Sequence, residues 1–342
     1  MGNSRCHVGF GCNRLEILGV HFKKHVAFPL WTVRFPPMTD LQTGSPRFLS
    51  TAEGTSVHAF TVRDWLMFLG VGLIWGSSFF FIAVGLQSLA PEVITPMRLA
   101  FGFLVLSLFP AARRKVDRSD WPRIALLGVI WMAIPLSMFP FAEERVSSAL
   151  TGMLNGANPI FTATVAWALL KRPPGSNQRW GLVLGFLGTA LIALPSLGEG
   201  RSEALGVVLI LIALTCYGFA LNLAVPLQQK YGSLPVFWRA QMVGMALTFP
   251  LGLTGLDSSR FELVPVLAIL ALGVFGTALA YLLMGGLAGR VGATRASIST
   301  YLIPVVAILL GVIVLSEEVH PLSLAGSALV LVGAWLGSRR GR

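Results

Sequence analysis

The sequence predicts an all-α integral membrane protein, with ten transmembrane helices arranged as two inverted five-helix repeats. Three observations lead there: a composition too apolar for water, ten apolar stretches of spanning length, and residues that recur about 145 positions apart. Of the 342 residues, 54% are hydrophobic and only 12% charged, and the mean hydropathy is +0.73. A soluble domain carries about 25% charged residues. A water-soluble fold of this length has no core large enough to hide the surplus apolar surface, whereas hydrocarbon accepts it.

A helix that crosses a bilayer needs about 20 mostly apolar residues. From Trp65 onward the stretches are Trp65–Leu86, Val93–Ala112, Ile124–Ala142, Val146–Leu170 and Trp180–Leu197. They continue as Ala204–Leu227, Leu234–Leu253, Leu263–Leu287, Ala296–Leu315 and Pro321–Leu336. Short polar linkers separate them, and their charges set an orientation, because Lys and Arg collect in cytoplasmic loops. With the N-terminus inside, fourteen bases fall on the cytoplasmic side: Arg113, Arg114, Lys115, Arg118, Arg123, Lys171, Arg172, Arg179, Lys230, Arg290, Arg295, Arg339, Arg340 and Arg342. Only Arg145, Arg201 and Arg260 fall outside. Both termini are therefore expected in the cytoplasm, and the host membrane is read as the plasma membrane. The net charge of +11 resides in these linkers and in the N-terminal segment. It forms no phosphate-facing patch, so nucleic-acid binding is not expected.

Residues 1–62 lack a spanning stretch and carry scattered bases. They read as a disordered cytoplasmic tail, an organellar transit segment, or translation from a start assigned too far upstream, with Met38 a natural later start. The repeats then occupy residues 63–200 and 201–342, the second ending in a short basic tail. Cys6, Cys12 and Cys216 form no C-x-x-C pair, so neither a disulfide framework nor a metal site is expected.

A shift of 145 superposes Gly128 on Gly273, Arg145 on Arg290, Val146 on Val291, Pro159 on Pro304, Gly181 on Gly326 and Gly188 on Gly333. Earlier in each half the offset shrinks, so that Gly76 meets Gly218 and Arg98 meets Arg239. Five spans per half is an odd number, so the second half must cross the membrane upside down. Inverted repeats are an architecture of secondary transporters, with the site near the midplane between the halves.

The residues also resemble a known family. Ile74-Trp75-Gly76-Ser77-Ser78, the lone Arg98, and the run from Ala142-Glu143-Glu144-Arg145-Val146 to Asn158-Pro159-Ile160-Phe161-Thr162 are similar to the drug/metabolite transporter superfamily, EamA type. Pro304 and Leu315-Ser316-Glu317 resemble the family's Pro and Leu-Gly-Glu at the end of a repeat. The first half departs there, with Leu170-Lys171-Arg172 and no glutamate. The resemblance spans about Trp65 to Arg340 and implies ten helices and solute export or exchange, with no particular cargo.

An ionisable group inside the membrane costs about 2.5–3.5 kcal/mol at a helix centre on insertion scales, and therefore asks for a reason. Arg98 reads either as a cation facing an anionic solute or as an arginine bonded to a neighbouring helix. Arg239, four residues past Pro235, reads as reaching the interface. Thr151, Asn155 and Asn158 share one helix face ahead of Pro159, and Ser299, Thr300 and Tyr301 mirror them ahead of Pro304. The two prolines are expected to act as hinges, each freeing a carbonyl one turn earlier. Trp75, Ser77, Trp131, Tyr217, Asn222 and Tyr281 complete the expected substrate-binding set, by stacking or hydrogen bonding. Each has a plainer alternative as packing or interhelical glue. Glu143 and Glu144 read as solvated acids of the outer loop, with one of them able to take a coupling proton if partly buried. The G-x-x-x-G at Gly181–Gly185 permits tight packing and offers a face for a homodimer.

No phosphate-binding G-x-x-x-x-G-K-[ST] loop and no H-E-x-x-H is present, and four of the five histidines lie before the first span. An enzyme is not expected, nor a cofactor. The expected function is secondary transport of metabolites, amino acids or drugs by alternating access around a midplane cavity. A nucleotide-sugar or phosphate-ester carrier ranks lower, because it needs several cavity cations and only Arg98 lies deep enough. A membrane scaffold or enzyme is the alternative of a different class.

Overall fold

The computed structural model describes residues 49–55, 61–170 and 176–338. The readings placed on residues 1–48, on Lys171 and Arg172, and on the terminal arginines lie outside that range. Among the described residues the chain is helical throughout, without strands. Helix α1 spans Val62–Gly85 and α2 spans Pro91–Ser107. A continuous rod, Arg118–Glu143, contains α3 (Trp121–Leu127), a π-helical segment (Gly128–Ala133) and α4 (Ile134–Glu143). Helices α5 (Ser148–Asn155) and α6 (Asn158–Leu170) are separated by a break at Gly156 and Ala157. Next come α7 (Ser176–Glu199), α8 (Arg201–Tyr231) and α9 (Ser233–Thr254). The rod Leu263–Val291 joins α10 (Leu263–Ala271), a second π segment (Leu272–Leu279) and α11 (Ala280–Val291). The rod Ala293–Leu315 joins α12 (Ala293–Ser297), a 3-10 turn (Ile298–Tyr301) and α13 (Leu302–Leu315), and α14 spans Pro321–Ser338.

Among the described residues six helical stretches, against the ten expected, are long and apolar enough to cross a membrane: Val62–Gly85, Arg118–Glu143, Arg179–Ser196, Arg201–Tyr231, Leu263–Val291 and Ala293–Leu315. Several helices run past their apolar stretch, α8 to Tyr231 where the apolar run stops at Leu227. Once a helix is nucleated, each added residue gains a hydrogen bond whether or not its side chain is apolar. The start of α1 shows a local reason for its boundary. Thr61 caps it, its hydroxyl accepting from the Asp64 N–H at 3.3 Å while the Asp64 carboxylate accepts from the Thr61 N–H at 2.9 Å. Gly232 and Gly292, with φ of 78° and 85°, turn the chain between α8 and α9 and between α11 and α12, in the left-handed region that glycine enters without penalty.

The burial pattern suits hydrocarbon. Leu66, Leu69, Leu73, Leu247, Phe249, Leu309 and Ile313 are exposed, while Thr95, Arg98, Asn155, Asn158, Asn222, Gln228 and Gln241 are buried. Residues 49–55, expected within the tail, lie against the bundle: Gln229 Nε2 donates to the Glu53 carbonyl at 2.7 Å.

The tightest helix contacts come in exchangeable pairs. A Cβ added to Gly188 would stand 2.7 Å from the Gly326 carbonyl oxygen, and one added to Gly333 would stand 2.8 Å from that of Gly181. Moving each residue to its counterpart 145 positions away turns the first contact into the second. Likewise Gly76 packs on Val306 and Gly218 packs on Phe161, and the Gly102–Gly273 contact is matched by Gly244–Gly128. In α2 and α9 these matches fix the offset at 142, so Arg98 corresponds to Ala240, and Arg239 stands one residue, about 100° of helix turn, away from the equivalent place. That corrects the expected Arg98–Arg239 pairing. Arg239 instead donates to the carbonyls of Ala112 at 3.1 Å and Arg114 at 2.8 Å, beside the linker after α2.

The two ends are fastened differently. At the end where α1 begins, called here the basic end, Arg290 Nε lies 2.7 Å from buried Asp64. Lys230 there lies 2.7 Å from Asp117 and holds that carboxyl below its ordinary range. At the far end, Arg145, the repeat counterpart of Arg290, pairs with its neighbour Glu144 at 3.1 Å, and opposite it stands Gly206. The far end has its own strap in Glu317, whose carboxylate accepts from the N–H groups of Ser148 at 2.9 Å and Ala149 at 2.8 Å and so caps α5. The turn that delivers it places Ser316 at φ 56°, where the family pattern has glycine.

Two stability outcomes follow from these positions. Gly188→Val meets backbone on the facing helix, with no flexible side chain to yield, and should lower stability by about 2–3 kcal/mol. Ser316→Gly relieves a left-handed residue and should raise it by about 0.5–1 kcal/mol. Both are read from denaturant or thermal unfolding in detergent.

Candidate functional site

The helices converge on a small central cavity lined by Trp75, Ser78, Phe79 and Ile82 of α1, Arg98 of α2, Leu136 and Phe139 of α4, Asn155 and Asn158 at the α5–α6 break, Tyr217 of α8 and Tyr281 of α11. It leaves about 20 Å³ for the centre of a water-sized sphere, room for about one water. Toward the far end an open, polar vestibule of about 670 Å³ is bordered by Gln87, Glu92, Glu143, Glu144, Arg260 and Glu262, among others.

The irregular backbone lies where the cavity is. In a π segment the i→i−4 ladder slips, leaving carbonyls available to outside donors. Trp75 Nε1 donates to the Gly276 carbonyl at 3.0 Å, and Gln241 Nε2 to that of Thr277 at 3.2 Å. In the other π segment the Trp131 carbonyl accepts from the Tyr281 hydroxyl at 3.2 Å. Trp131 and Gly276 stand 145 residues apart, so the two repeat-equivalent carbonyls receive an aromatic donor each. Trp75, Trp131, Phe237 and Tyr281 form one edge-packed cluster, with ring centroids 5.1–5.5 Å apart for the contacting pairs.

Arg98 is 2% exposed, and its Nε donates to Thr277 Oγ1 at 3.0 Å. Among the described residues no carboxylate lies within ion-pair distance of it, and it borders the cavity. Asn155 is buried, and its Oδ1 has no hydrogen-bond partner. Asn158 Oδ1 accepts from Thr162 Oγ1 at a long 3.4 Å. A fixed cation, two amides and a ring of aromatics can hold a small organic molecule that carries a negative group.

Of the expected binding residues, Trp75, Arg98, Asn155, Asn158, Tyr217 and Tyr281 meet at this cavity. Ser77 does not; its hydroxyl returns to the Ile74 carbonyl at 3.0 Å, and Ser78, one residue on, lines the space instead. Thr151 bonds the Ser147 carbonyl at 3.0 Å and Ser299 the Ala296 carbonyl at 2.8 Å, both within their own helical segments. Asn222 bridges to the Thr162 carbonyl at 3.0 Å as interhelical glue, Trp131 stands behind Tyr281, and Tyr301 lies outside the lining. Pro159 follows the α5–α6 break and Pro304 follows the 3-10 turn, so both irregularities precede a proline at repeat-related places. Sequence reasoning missed Phe79, Ile82, Leu136 and Phe139. The signal was available, since Trp75, Ser78, Phe79 and Ile82 recur at i, i+3, i+4 and i+7, one helix face. It also placed Glu143 in solvent with Glu144; Glu144 is exposed, but both carboxyl oxygens of Glu143 are buried and unpartnered.

An apolar-skinned helical protein with its polar side chains gathered at a central cavity is a multi-pass membrane protein built for a small solute. The chain belongs to the EamA-like transporter family, whose model matches it twice, over residues 64–194 and 204–339. Its relatives include an uncharacterised transporter of Archaeoglobus fulgidus, 24% identical across 82% of this chain and 100% of the other. A probable terminal-alkyne amino-acid exporter of Streptantibioticus cattleyicolor is 28% identical across 81% of this chain and 93% of its own. A probable amino-acid metabolite efflux pump of Salmonella typhimurium is 26% identical across 80% and 94%. A solved structure described only as the crystal structure of a protein aligns at a TM-score of 0.62, with 16% identity, over 82% of this chain and 97% of that one, a likeness of fold.

Removing Arg98 separates its possible roles. A guanidinium that held helices together through a buried ion pair would cost about 3–5 kcal/mol to remove. With no ion pair present, Arg98→Met should change unfolding stability by less than about 1 kcal/mol while abolishing binding of carboxylate-bearing solutes. Thermal unfolding with and without solute reads both quantities.

Proposed function

We propose that this protein is a secondary carrier that exports or exchanges small carboxylate-bearing organic solutes, amino acids and their derivatives foremost, by alternating access around the Arg98 cavity. The observation that carries the reading is Arg98 itself, buried, bordering the cavity and without a carboxylate partner among the described residues. Anchoring a solute's carboxylate gives that cation the partner it lacks, and the fork of its donors suits a carboxylate bidentately. The relatives described as an amino-acid exporter and an amino-acid metabolite efflux pump support the same cargo class. A phosphate-ester cargo is disfavoured, because Arg98 is the one cation among the lining residues.

The architecture we assign is ten transmembrane helices in two inverted five-helix repeats, residues 63–200 and 201–342, in the plasma membrane with both termini cytoplasmic. The exchangeable helix contacts, the paired π segments and the double family match support it. The Lys and Arg bias supports the orientation, which makes the basic end cytoplasmic. In this arrangement the present conformer leans outward, with the vestibule open and the basic end fastened by Asp64–Arg290. The cavity is too small for cargo here, so loading requires the halves to rock apart.

A ligand that binds only the folded protein raises its apparent stability. Amino acids should therefore raise the unfolding midpoint of the detergent-solubilised protein more than sugars, nucleotides or cationic drugs do. Asn155→Ala and Asn158→Ala should each weaken that binding about tenfold, the loss of roughly one hydrogen bond. Stabilisation by sugars or nucleotides alone would sink the cargo assignment.

A further inference from the structure

Glu143 closes α4, one turn beyond Phe139 and two beyond Leu136, and the face those two present to the cavity continues to it. It also borders the vestibule. It thus lines the open space and lies on the helix face that, one and two turns earlier, lines the enclosed one. The residue is half-buried, yet both carboxyl oxygens are shut off from water and neither has a hydrogen-bond partner. Burying an unpaired carboxylate costs several kcal/mol. A group so placed carries a proton or meets a cation.

No lysine or arginine among the described residues pairs with it, although Arg260 borders the same vestibule. Arg98 forms no ion pair with it. Glu317 is committed to the α5 N–H groups, and Arg145 to Glu144 and the Phe141 carbonyl. From α2 the titratable groups are Arg98 and, at the vestibule, Glu92; from α8 they are Cys216 and Tyr217, with Arg201 and Glu203 at its outer end and Lys230 and Tyr231 at its basic end. Helix α5 has no ionisable side chain, and those of α1 lie in its first turn at the basic end.

We propose that Glu143 is a proton-binding site in which a proton from the outer vestibule competes with the ammonium group of a solute whose carboxylate is held at Arg98. In the exchange, an oxygen lone pair of the Glu143 carboxylate takes a proton from a hydronium in the vestibule, which becomes water. The neutral carboxyl releases the ammonium, and the solute departs outward. One proton in for one zwitterion out makes the carrier an antiporter. The solute half of this statement rests on the amino-acid reading above; the proton site does not.

The test uses the full-length protein in lipid, comparing wild type, Glu143→Gln and Glu144→Gln. Infrared difference spectra should show a protonated-carboxyl band at neutral pH in the wild type and in Glu144→Gln that is missing in Glu143→Gln. An unchanged band in Glu143→Gln overturns the proton site. In proteoliposomes, an imposed pH gradient should accelerate movement of leucine, phenylalanine or threonine at least tenfold in the wild type. Glu143→Gln should lose that response while Glu144→Gln keeps it; if Glu143→Gln keeps the response, the coupling is overturned. Should the wild type move none of these amino acids, the cargo reading fails by itself, and the infrared comparison still decides whether Glu143 holds the proton.

Discussion

Hydrocarbon offers backbone N–H and C=O groups no partner, so each must be bonded within its own helix or to another part of the chain. Most of this molecule follows from that requirement. Its helices run through apolar and polar sequence alike, and their outer surface is left to leucine, phenylalanine and valine. The exceptions are confined. The two π segments, the α5–α6 break and the 3-10 turn before Pro304 all lie toward the interior, where side chains replace the lost helical partners. Trp75 and Gln241 serve the carbonyls of Gly276 and Thr277, and Tyr281 serves that of Trp131. The same side chains then form or support the cavity wall. Backbone irregularity, which a bilayer forbids elsewhere, is concentrated around the central cavity.

Close helix approach has its own logic. Lipid supplies no hydrophobic drive for helices to associate, so contact area and small residues decide the packing. Glycines at 76, 102, 188 and their counterparts bring facing backbones together. The contacts come in exchangeable pairs, so each close approach in the chain has an equivalent elsewhere in it. A carrier that alternates between two faces needs this property, since each half must accept the packing its counterpart now holds.

The all-helical membrane class was legible in the sequence, because a spanning helix announces itself by length and hydropathy, and six of the ten expected spans are long and apolar enough to cross. Helix ends were less so: the apolar run stops at Leu227 while hydrogen bonding carries α8 on to Tyr231. Trp75, Arg98, Asn155, Asn158, Tyr217 and Tyr281 were readable as costly or recognition-suited groups inside spans. Ser77 was misplaced by one residue because pattern reading cannot resolve a rotation of about 100° about the helix axis. The π segments have no signature in a single sequence, yet they decide which carbonyls are free. Glu143 could not be told from Glu144 as the acid able to take a proton if buried, for a related reason. It differs from Glu144 only in where its carboxyl points, and that depends on helices distant in sequence.

The unequal fastening of the two ends has a consequence for the energy landscape. Two identical halves would give inward-open and outward-open states of equal energy, a degeneracy imposed by symmetry alone. Here Arg290 finds Asp64, while Arg145 faces Gly206 at the corresponding place, and Glu317 has no glutamate counterpart in Leu170-Lys171-Arg172. Those few departures lift the degeneracy. A difference of about 1.4 kcal/mol already sets a tenfold ratio of populations. If the protein is the alternating carrier proposed above, its empty form has a resting orientation written into these few side chains, and substitutions at Asp64 or Glu317 would reset it without touching the cavity.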